Sequence, residues 1–424
     1  MTDRNHALIE GRGFFVDWEY WLNATLSNLS NITTKNHHFF YAIMNAMLIS
    51  KSNIKSSKSK IGNHTMTDET MTNDTKKHLP IAIQTFAEIR NAKDNYIYVD
   101  KTQTIIEFIK RPKAVFLSRP RRFGKSLMLD TIKELFEGNK ALFAGLYAEN
   151  HWDWNNTYPV IKIDFTSNSG QGDIEAIKSR ICYNLKTHGN KYGVDESLYV
   201  NEKLPMMFEN LLKAIYNKTG KPIVFLVDEY DYPLVHNLND MAVAKQVRQL
   251  LGDFYAVLKL SSAYLHYVLI TGVSKFVKLS LFSQANQLTD MTLRPVSATI
   301  CGYTHEEVQA YFTDYLEDVN LESVKRWYNG YNYSGEPIYN PYDVLLYLDE
   351  KIFKNYWWET GSSTVLKHLI ETNDNLYLPN FENTSYPIEV LNAFDIEEMS
   401  LIALLWQSGN LTFDYTVGDD EEGT

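Results

Sequence analysis

Residues 115–126 read Val-Phe-Leu-Ser-Arg-Pro-Arg-Arg-Phe-Gly-Lys-Ser, an apolar run followed by a basic loop. Its last three residues match the end of the phosphate-binding pattern G-x-x-x-x-G-K-[ST], which lies between a strand and a helix. Arg119 stands at the place of the first glycine, so the pattern alone is degenerate. The apolar run supplies the strand, and the periodicity of Leu127 to Phe136 supplies the helix. The alternative interpretation is a basic loop before an amphipathic helix.

The residue types in this loop suit the recognition of a nucleotide. Backbone N–H groups around Gly124 can approach a phosphate because no Cβ intrudes. Lys125 would place its ammonium against the β- and γ-phosphates, and the hydroxyl of Ser126 would ligate Mg²⁺. Two arginines add charge-assisted contacts to phosphate oxygens. The residues predicted to bind the cofactor ATP are Arg121, Arg122, Phe123, Gly124, Lys125, Ser126 and Leu127.

A second motif follows about 100 residues downstream, where the apolar run Ile223 to Val227 ends at Asp228 and Glu229. Burying two unpaired carboxylates after a buried strand costs free energy, so their presence there favours a functional role. We predict that Asp228 holds Mg²⁺ and that Glu229 acts as the general base for an attacking water. The alternative is a solvated Asp-Glu pair at a strand end.

A third candidate element is the segment Thr271-Gly-Val-Ser-Lys275, which follows another apolar run at 267–270. A polar residue on the neighbouring strand can sense the γ-phosphate or position the attacking water. Thr271 and Ser274 are the candidates for this catalytic role, and Lys275 is a candidate phosphate contact. An ordinary strand-to-turn ending accounts for the segment equally well.

Strand patterns alternate with helical patterns throughout the middle of the chain. Apolar runs at 115–117, 160–165, 223–227 and 267–271 predict strands, and 206–216 and 243–258 predict helices. This alternation predicts an α/β fold with a mostly parallel sheet covered on both faces. Beyond Cys301 the pattern changes to short helices with aromatic-rich turns.

Composition narrows the class of protein further. The chain has 424 residues, a net charge of −11 and two cysteines without metal spacing, which excludes a disulfide scaffold or a zinc site. Residues 51–78 are rich in Ser, Thr, Asn and Lys and predict a flexible linker. The apolar run at 39–49 is too short to span a bilayer, and acidic residues interrupt any signal peptide. We expect a soluble, cytoplasmic protein whose translation starts at Met1 or at the internal Met66 or Met71.

These motifs together resemble the AAA-ATPase-like family of bacterial P-loop proteins, whose members often carry a C-terminal PD-(D/E)XK nuclease-like domain. The resemblance covers about residues 79–415. The segments that carry it are Leu79–Arg90, Tyr96–Thr102, Ser118–Ser126, Val227–Pro233, Thr271–Phe276, Trp327–Tyr331, Tyr339–Pro341 and Asn355–Gly361.

The resemblance implies an ASCE-type P-loop core followed by a helical, winged-helix-like region near Phe394 to Tyr415. The expected domains are an extension and linker at 1–78, an AAA-like core at 79–300 and the helical region at 301–424. No Asp…Glu-x-Lys constellation remains for a nuclease module, so the chain is interpreted as a truncated member. The resemblance also implies that Asp100 and Lys101 line the nucleotide site or its lid. Arg294 is a candidate sensor arginine.

The function expected from the sequence is that of an ATP-binding, Mg²⁺-dependent, ATP-hydrolysing regulatory or motor module. One alternative is a non-hydrolysing nucleotide switch or interaction scaffold, in which Glu229 is dispensable. Another is the ATPase part of a nucleic-acid-processing system, which the acidic net charge and the missing nuclease module disfavour. A small-molecule kinase ranks last. The expected partners are ATP, and a protein partner or further copies of the chain, without a membrane.

Overall fold

The computed structural model describes the part of the chain that carries the predicted sheet and motifs. The described ranges are 6–9, 76–110, 112–166, 173–201, 203–237, 240–275, 288–354, 356, 384–387, 406–407, 409 and 412. Those from His78 onward belong to one compact unit. Most of the predicted linker and of the winged-helix-like segment lie outside the described residues.

A five-stranded parallel sheet forms the centre of this unit. Its strands are β2 (Ala114–Ser118), β3 (Val160–Asp164), β4 (Ile223–Asp228), β5 (Leu265–Gly272) and β6 (Thr289–Asp290), in the spatial order β3-β4-β5-β2-β6. All four neighbouring pairs are parallel. The basic loop follows β2 and the Asp-Glu motif follows β4, so both lie at the carboxyl ends of the parallel strands, with β5 between them. The predicted α/β fold with a parallel P-loop sheet is confirmed.

Helices connect these strands and cover the sheet on both faces. In chain order they are α1 (Phe86–Ile89), α2 (Thr102–Ile109), α3 (Lys125–Glu137), α4 (Ala148–His151), α5 (Ile174–Lys191), α6 (Leu204–Thr219), α7 (Tyr232–Val235), α8 (Met241–Leu260), α9 (His305–Tyr311), α10 (Leu321–Tyr328) and α11 (Pro341–Glu350). Among the described helices, none has the combination of length and apolar character that crossing a bilayer requires.

Two apolar layers hold the sheet. On one face, Phe225 of β4 packs against Phe208 and Phe254 from α6 and α8, with ring centroids 4.9 and 6.4 Å away. On the other face, Leu129 of α3 is fully buried in the same cluster as Val115 of β2. Burial on both faces explains why β2, β4 and β5 read as continuous apolar runs rather than as alternating patterns.

The outer edge of β3 is contacted by His188 of α5 and by Tyr192, the residue that follows this helix. The Pro159 carbonyl and the Phe165 N–H form hydrogen bonds with β4. Because successive residues of a strand alternate in direction, the N–H and carbonyl groups of Val160 and Lys162 point away from β4. The backbone N–H of Val160 donates to the Tyr192 hydroxyl at 2.6 Å, and that hydroxyl donates to the Val160 carbonyl at 3.0 Å. Nε2 of His188 lies 2.9 Å from the Lys162 carbonyl.

Small antiparallel pairs complete the described structure. Strands β7 (Asn329–Tyr331) and β8 (Ile338–Tyr339) form a hairpin, and Tyr331 of β7 packs on Phe123 of the basic loop. Strands β1 (His6–Ile9) and β9 (Thr384–Pro387) pair with each other.

Candidate functional site

The basic loop turns between β2 and α3 through backbone conformations that favour glycine. Gly124 has φ +91°, and an added Cβ would meet nothing within 4 Å, so conformation rather than space favours glycine there. Arg122 also has a positive φ of 66°. The first turn of α3 begins at Lys125, so the backbone N–H groups that follow Gly124 belong to a helix N-terminus.

Lys125 is buried, with 3% of its side chain exposed. Its ammonium donates to the carbonyls of Arg119 and Pro120, both at 3.1 Å, and forms an ion pair with Glu229 at 3.0 Å. The structure therefore brings the loop lysine and the second carboxylate of the Asp-Glu motif into direct contact, while their catalytic roles stay predictions. These contacts replace the hydration that a buried ammonium loses.

Asp228 lies at the end of β4 and is 1% exposed. Its Oδ1 accepts from the Thr271 hydroxyl at 2.8 Å and from the backbone N–H of Glu229 at 3.1 Å, and the Ser126 hydroxyl lies near enough to lower the pKa of its carboxyl. Burial, together with the Glu229 carboxylate, raises the pKa of Asp228, while Lys125 and the two hydroxyls oppose that shift.

Glu229 follows Asp228 with a positive φ of 50°, an uncommon conformation for a residue with a side chain. Such backbone strain persists where surrounding contacts hold it, and it occurs often at functional sites. The side chain of Glu229 is 13% exposed and lines the same cavity as Lys125. Of the two adjacent carboxylates, Glu229, the candidate general base, is the one that lines the cavity.

Ser274 lies in a different environment from Thr271. Its backbone N–H donates to Oδ2 of Asp231 at 2.8 Å, and its hydroxyl donates to the same oxygen. Asp231 is fully buried and was not singled out in the sequence; burial and nearby Glu229 raise its pKa. Lys275 pairs with Asp290 at 3.3 Å. The roles proposed for Thr271 and Ser274 at the γ-phosphate stay predictions.

A cavity of about 370 Å³ opens beside the loop, in the size range of small-molecule sites. Residues 121–128 and Glu229 line it. Segments outside the sheet also line it, among them Ile83, Val99, Lys101, Tyr303 and Tyr342. All seven predicted cofactor-binding residues, from Arg121 to Leu127, line this cavity, whereas Asp228, Thr271 and Ser274 do not.

The other predicted residues divide into cavity and non-cavity positions. Lys101 lines the cavity and pairs with Glu307, whereas Asp100 accepts from Thr102 and Tyr147 backbone groups, both at 2.8 Å. Phe123 is fully buried and packs edge-on against Tyr331 at 4.8 Å. Arg294 is exposed and does not line the cavity.

Sequence reasoning missed the role of Arg119. This residue is 1% exposed, and its guanidinium donates to backbone carbonyls and lies 3.7 Å from the ring centroid of Tyr333. Its place at the first glycine of the pattern was noted in the sequence, but its burial depends on contacts with distant segments that no local pattern indicates.

The sequence of the chain is similar to those of known proteins. Residues 80–282 match a family model described as "Predicted AAA-ATPase". A protein of Azotobacter chroococcum mcd 1, described as "Uncharacterized protein in vnfD 5'region", is 40% identical over 340 residues, which cover 80% of this chain. The chain spans 64% of the length of that relative.

Among solved structures, the chain is similar to the Walker-type ATPase PABY2304 of Pyrococcus abyssi. The identity is 14%, the TM-score is 0.39, and the similarity covers 80% of this chain and 92% of that one. The resemblance inferred from the sequence motifs is confirmed by the family match, which includes both the basic loop and the Asp228-Glu229 motif. Residues 80–282 of the chain are thus similar to the predicted AAA-ATPase family.

Proposed function

We propose that this chain binds ATP in the cavity beside residues 121–128 and hydrolyses it in a Mg²⁺-dependent reaction. The observation that carries the proposal is the 3.0 Å contact between Lys125 and Glu229 at the carboxyl edge of the sheet, directly beside the helix N-terminus after Gly124. A phosphate-binding cation and a candidate base converge there on one cavity. In open parallel sheets, ligands bind at this edge.

Mg²⁺ fits the donor atoms at the back of the site. The Ser126 hydroxyl interacts with the Asp228 carboxylate, so two hard oxygen ligands are near each other, which is the ligand type Mg²⁺ prefers. A cation between them would also offset the burial that raises the pKa of Asp228. Bound Mg²⁺ supplies neutralisation of the charge on the phosphoryl oxygens.

The remaining steps use residues of the chain itself. Lys125 exchanges its carbonyl partners for phosphate oxygens, which are stronger acceptors because they are charged. Glu229, released from the ion pair, orients a water and accepts its proton as the water attacks the γ-phosphorus in line. The bond from the γ-phosphorus to the β,γ-bridging oxygen breaks, and ADP leaves. Thr271 holds Asp228 in place by its 2.8 Å hydrogen bond. Arg121 and Arg122 add positive charge at the cavity wall.

The walls of the cavity support a regulatory or motor role within this proposal. Ile83 and Val99 precede the sheet in the chain, whereas Tyr303 and Tyr342 follow it, and all four line the cavity with the loop. A nucleotide in this cavity would contact both groups of residues, so its hydrolysis can change how they pack. A cytoplasmic location and assembly with further copies of the chain belong to the same proposal.

The test is ATP binding and turnover by the full chain, with and without Mg²⁺, for wild type, Lys125→Met and Ser126→Ala. We expect Lys125→Met to weaken ATP binding by about tenfold or more, because a charge-assisted contact is lost. Ser126→Ala should lose most of the Mg²⁺ dependence. Lys113→Met is the matched control, since Lys113 lies just before the opposite end of β2 and donates to the Ser262 carbonyl.

Three results would separate the alternatives. ATP turnover that is lost in Lys125→Met and retained in Lys113→Met supports the proposal. ATP binding without turnover in wild type favours a nucleotide switch. Absence of ATP binding in wild type would overturn the proposal and favour an interaction scaffold.

A further inference from the structure

Arg119 occupies the position of the first glycine in the phosphate-loop pattern, and its side chain is buried between the loop and later segments of the chain. Nη1 donates to the Ser118 carbonyl at 2.8 Å and to the Thr292 carbonyl at 3.0 Å. Nη2 donates to the Ser297 carbonyl at 2.7 Å. The guanidinium carbon lies 3.7 Å from the centroid of the Tyr333 ring. One side chain thus joins the loop to two other segments of the chain, one that contains Thr292 and Ser297 and one that contains Tyr333.

Burying a guanidinium is unfavourable unless its donors and its charge find partners. Here three carbonyls accept from the two terminal nitrogens, and the face of the Tyr333 ring attracts the charge, while Nε is buried without a hydrogen-bond partner among the described residues. Lysine could not reproduce this arrangement, because a single ammonium lacks the planar fork that reaches Thr292 and Ser297 together.

The backbone of Arg119 contacts the chemical centre of the site. Its carbonyl and that of Pro120 each accept from Lys125 at 3.1 Å, and its N–H donates to the Gly272 carbonyl at the end of β5 at 3.2 Å. A shift of Arg119 therefore moves two of the oxygen atoms that hold the Lys125 ammonium.

The cover over Arg119 comes from the hairpin region that follows the sheet. Tyr333 lies between β7 and β8, and its ring also packs edge-on against Phe123 of the loop at 6.2 Å. Gly302 lies close to the same loop residue, because an added Cβ would come within 3.0 Å of Phe123 and within 3.1 Å of the Tyr339 carbonyl. The interior of the loop is thus packed by residues 302–339 and not only by the sheet.

We infer that Arg119 is a positioning residue of the phosphate loop: its guanidinium, covered by Tyr333, holds the loop in the shape that presents Lys125 to a triphosphate. The inference rests on the proposed function, because it assigns Arg119 a role in the same nucleotide site. It goes beyond that function by making the loop's affinity for phosphate depend on the 329–339 hairpin.

The experiment compares the affinities of the full chain for ATP and for AMP, together with kcat and KM for ATP. The variants are Arg119→Lys, Tyr333→Leu and Tyr333→Phe. We expect Arg119→Lys and Tyr333→Leu to weaken ATP binding by about tenfold, the equivalent of 1.4 kcal/mol, while AMP binding changes little. Lys125 contacts the β- and γ-phosphates, which AMP lacks. Tyr333→Phe keeps the ring face and should bind ATP as wild type does.

Arg90→Lys is the matched control for a merely structural arginine. Arg90 also donates to two backbone carbonyls, those of Leu142 and Ala144 at 2.9 and 2.6 Å, and lies 5.9 Å from the Tyr98 ring. This substitution should lower the unfolding temperature without changing the ratio of ATP to AMP affinity. If Arg119→Lys fails to fold, the two Tyr333 variants decide the matter.

The outcomes distinguish the inference from the proposed function. A selective loss of ATP affinity in Arg119→Lys or Tyr333→Leu, absent from Tyr333→Phe and Arg90→Lys, supports the positioning role. If wild type binds ATP and the ratio of ATP to AMP affinity is the same in wild type and in all variants, the positioning role is overturned and the proposed function still stands. Absence of ATP binding in wild type overturns both.

Discussion

The ammonium of Lys125 lies 3.0 Å from a carboxylate oxygen of Glu229, and both side chains are largely buried at the cavity wall. The ion pair links the loop after β2 to the first residue after β4. A triphosphate that takes Lys125 as its partner must separate this pair. Nucleotide binding and release of the candidate base are therefore expected to occur together.

Replacement of Glu229 by glutamine tests this relationship. Glu229→Gln keeps the shape of the side chain but removes both the competing charge and the base. We expect kcat for ATP hydrolysis to fall by about 10²- to 10⁴-fold, whereas the ATP Kd stays equal or becomes smaller. Glu137→Gln is the control, because Glu137 pairs with Lys191 at the far end of α3. Normal turnover by Glu229→Gln would rule out Glu229 as the base.

The Lys101–Glu307 ion pair should stabilise the fold beside the cavity. The two side chains are 11% and 20% exposed, burial lowers the pKa of Lys101, and Glu307 opposes that shift. Glu307→Gln retains a side chain that can complete the capping box with Thr304 but leaves the lysine unpaired. We expect the free energy of unfolding to fall by about 3 kcal/mol.

The control for this prediction is the double variant Lys101→Met/Glu307→Gln. It removes the buried charge together with its partner, so it should recover most of the stability that Glu307→Gln loses. Urea unfolding of wild type, the two single variants and the double variant measures the coupling. Additive losses would show that the pair contributes nothing as a pair.

His188 should make the stability of the chain sensitive to acid. Burial lowers the pKa of His188 from its usual 6.5, and its Nδ1 is buried without a partner among the described residues. The neutral ring donates from Nε2 to the Lys162 carbonyl. A lowered pKa favours the neutral form in the folded state, so this stability is complete above pH 6.5 and decreases as the pH falls below it.

Thermal or urea unfolding of wild type and His188→Gln between pH 8 and pH 5 measures this effect. The stability advantage of wild type should shrink below pH 6.5, by at most about 1.4 kcal/mol per pH unit. Tyr192→Phe removes a hydroxyl that contacts the same strand and does not titrate in this range, so its difference from wild type should stay constant. A constant difference for His188→Gln would contradict the prediction.

The strands of this fold were predictable because buried parallel strands read as uninterrupted apolar runs. The apolar runs at 223–227 and 267–271 correspond to the strands Ile223–Asp228 and Leu265–Gly272. Each strand is longer than its run because backbone pairing with neighbouring strands also includes residues that do not belong to the apolar pattern. Strand β6 was missed because two residues, Thr289 and Asp290, form no run.

The candidate site was predictable only where its chemistry is local. Lys125, Asp228 and Glu229 follow from short motifs next to strands, and the structure brings them together. Arg119 and Asp231 owe their places to partners such as Tyr333 and Ser274 that lie far along the chain. Which distant segment packs against a loop is decided by tertiary structure, and a single sequence carries no direct signal of it.

The side chains of Tyr192 and His188 occupy hydrogen-bonding groups that an edge strand otherwise offers to a neighbour. An unprotected strand edge is a template on which an extended peptide or a second copy can continue the sheet. At β3 that template is already taken by groups of the same chain. Association of copies, or capture of a partner peptide, along this edge of the sheet therefore requires that the cover over Val160 and Lys162 is first displaced.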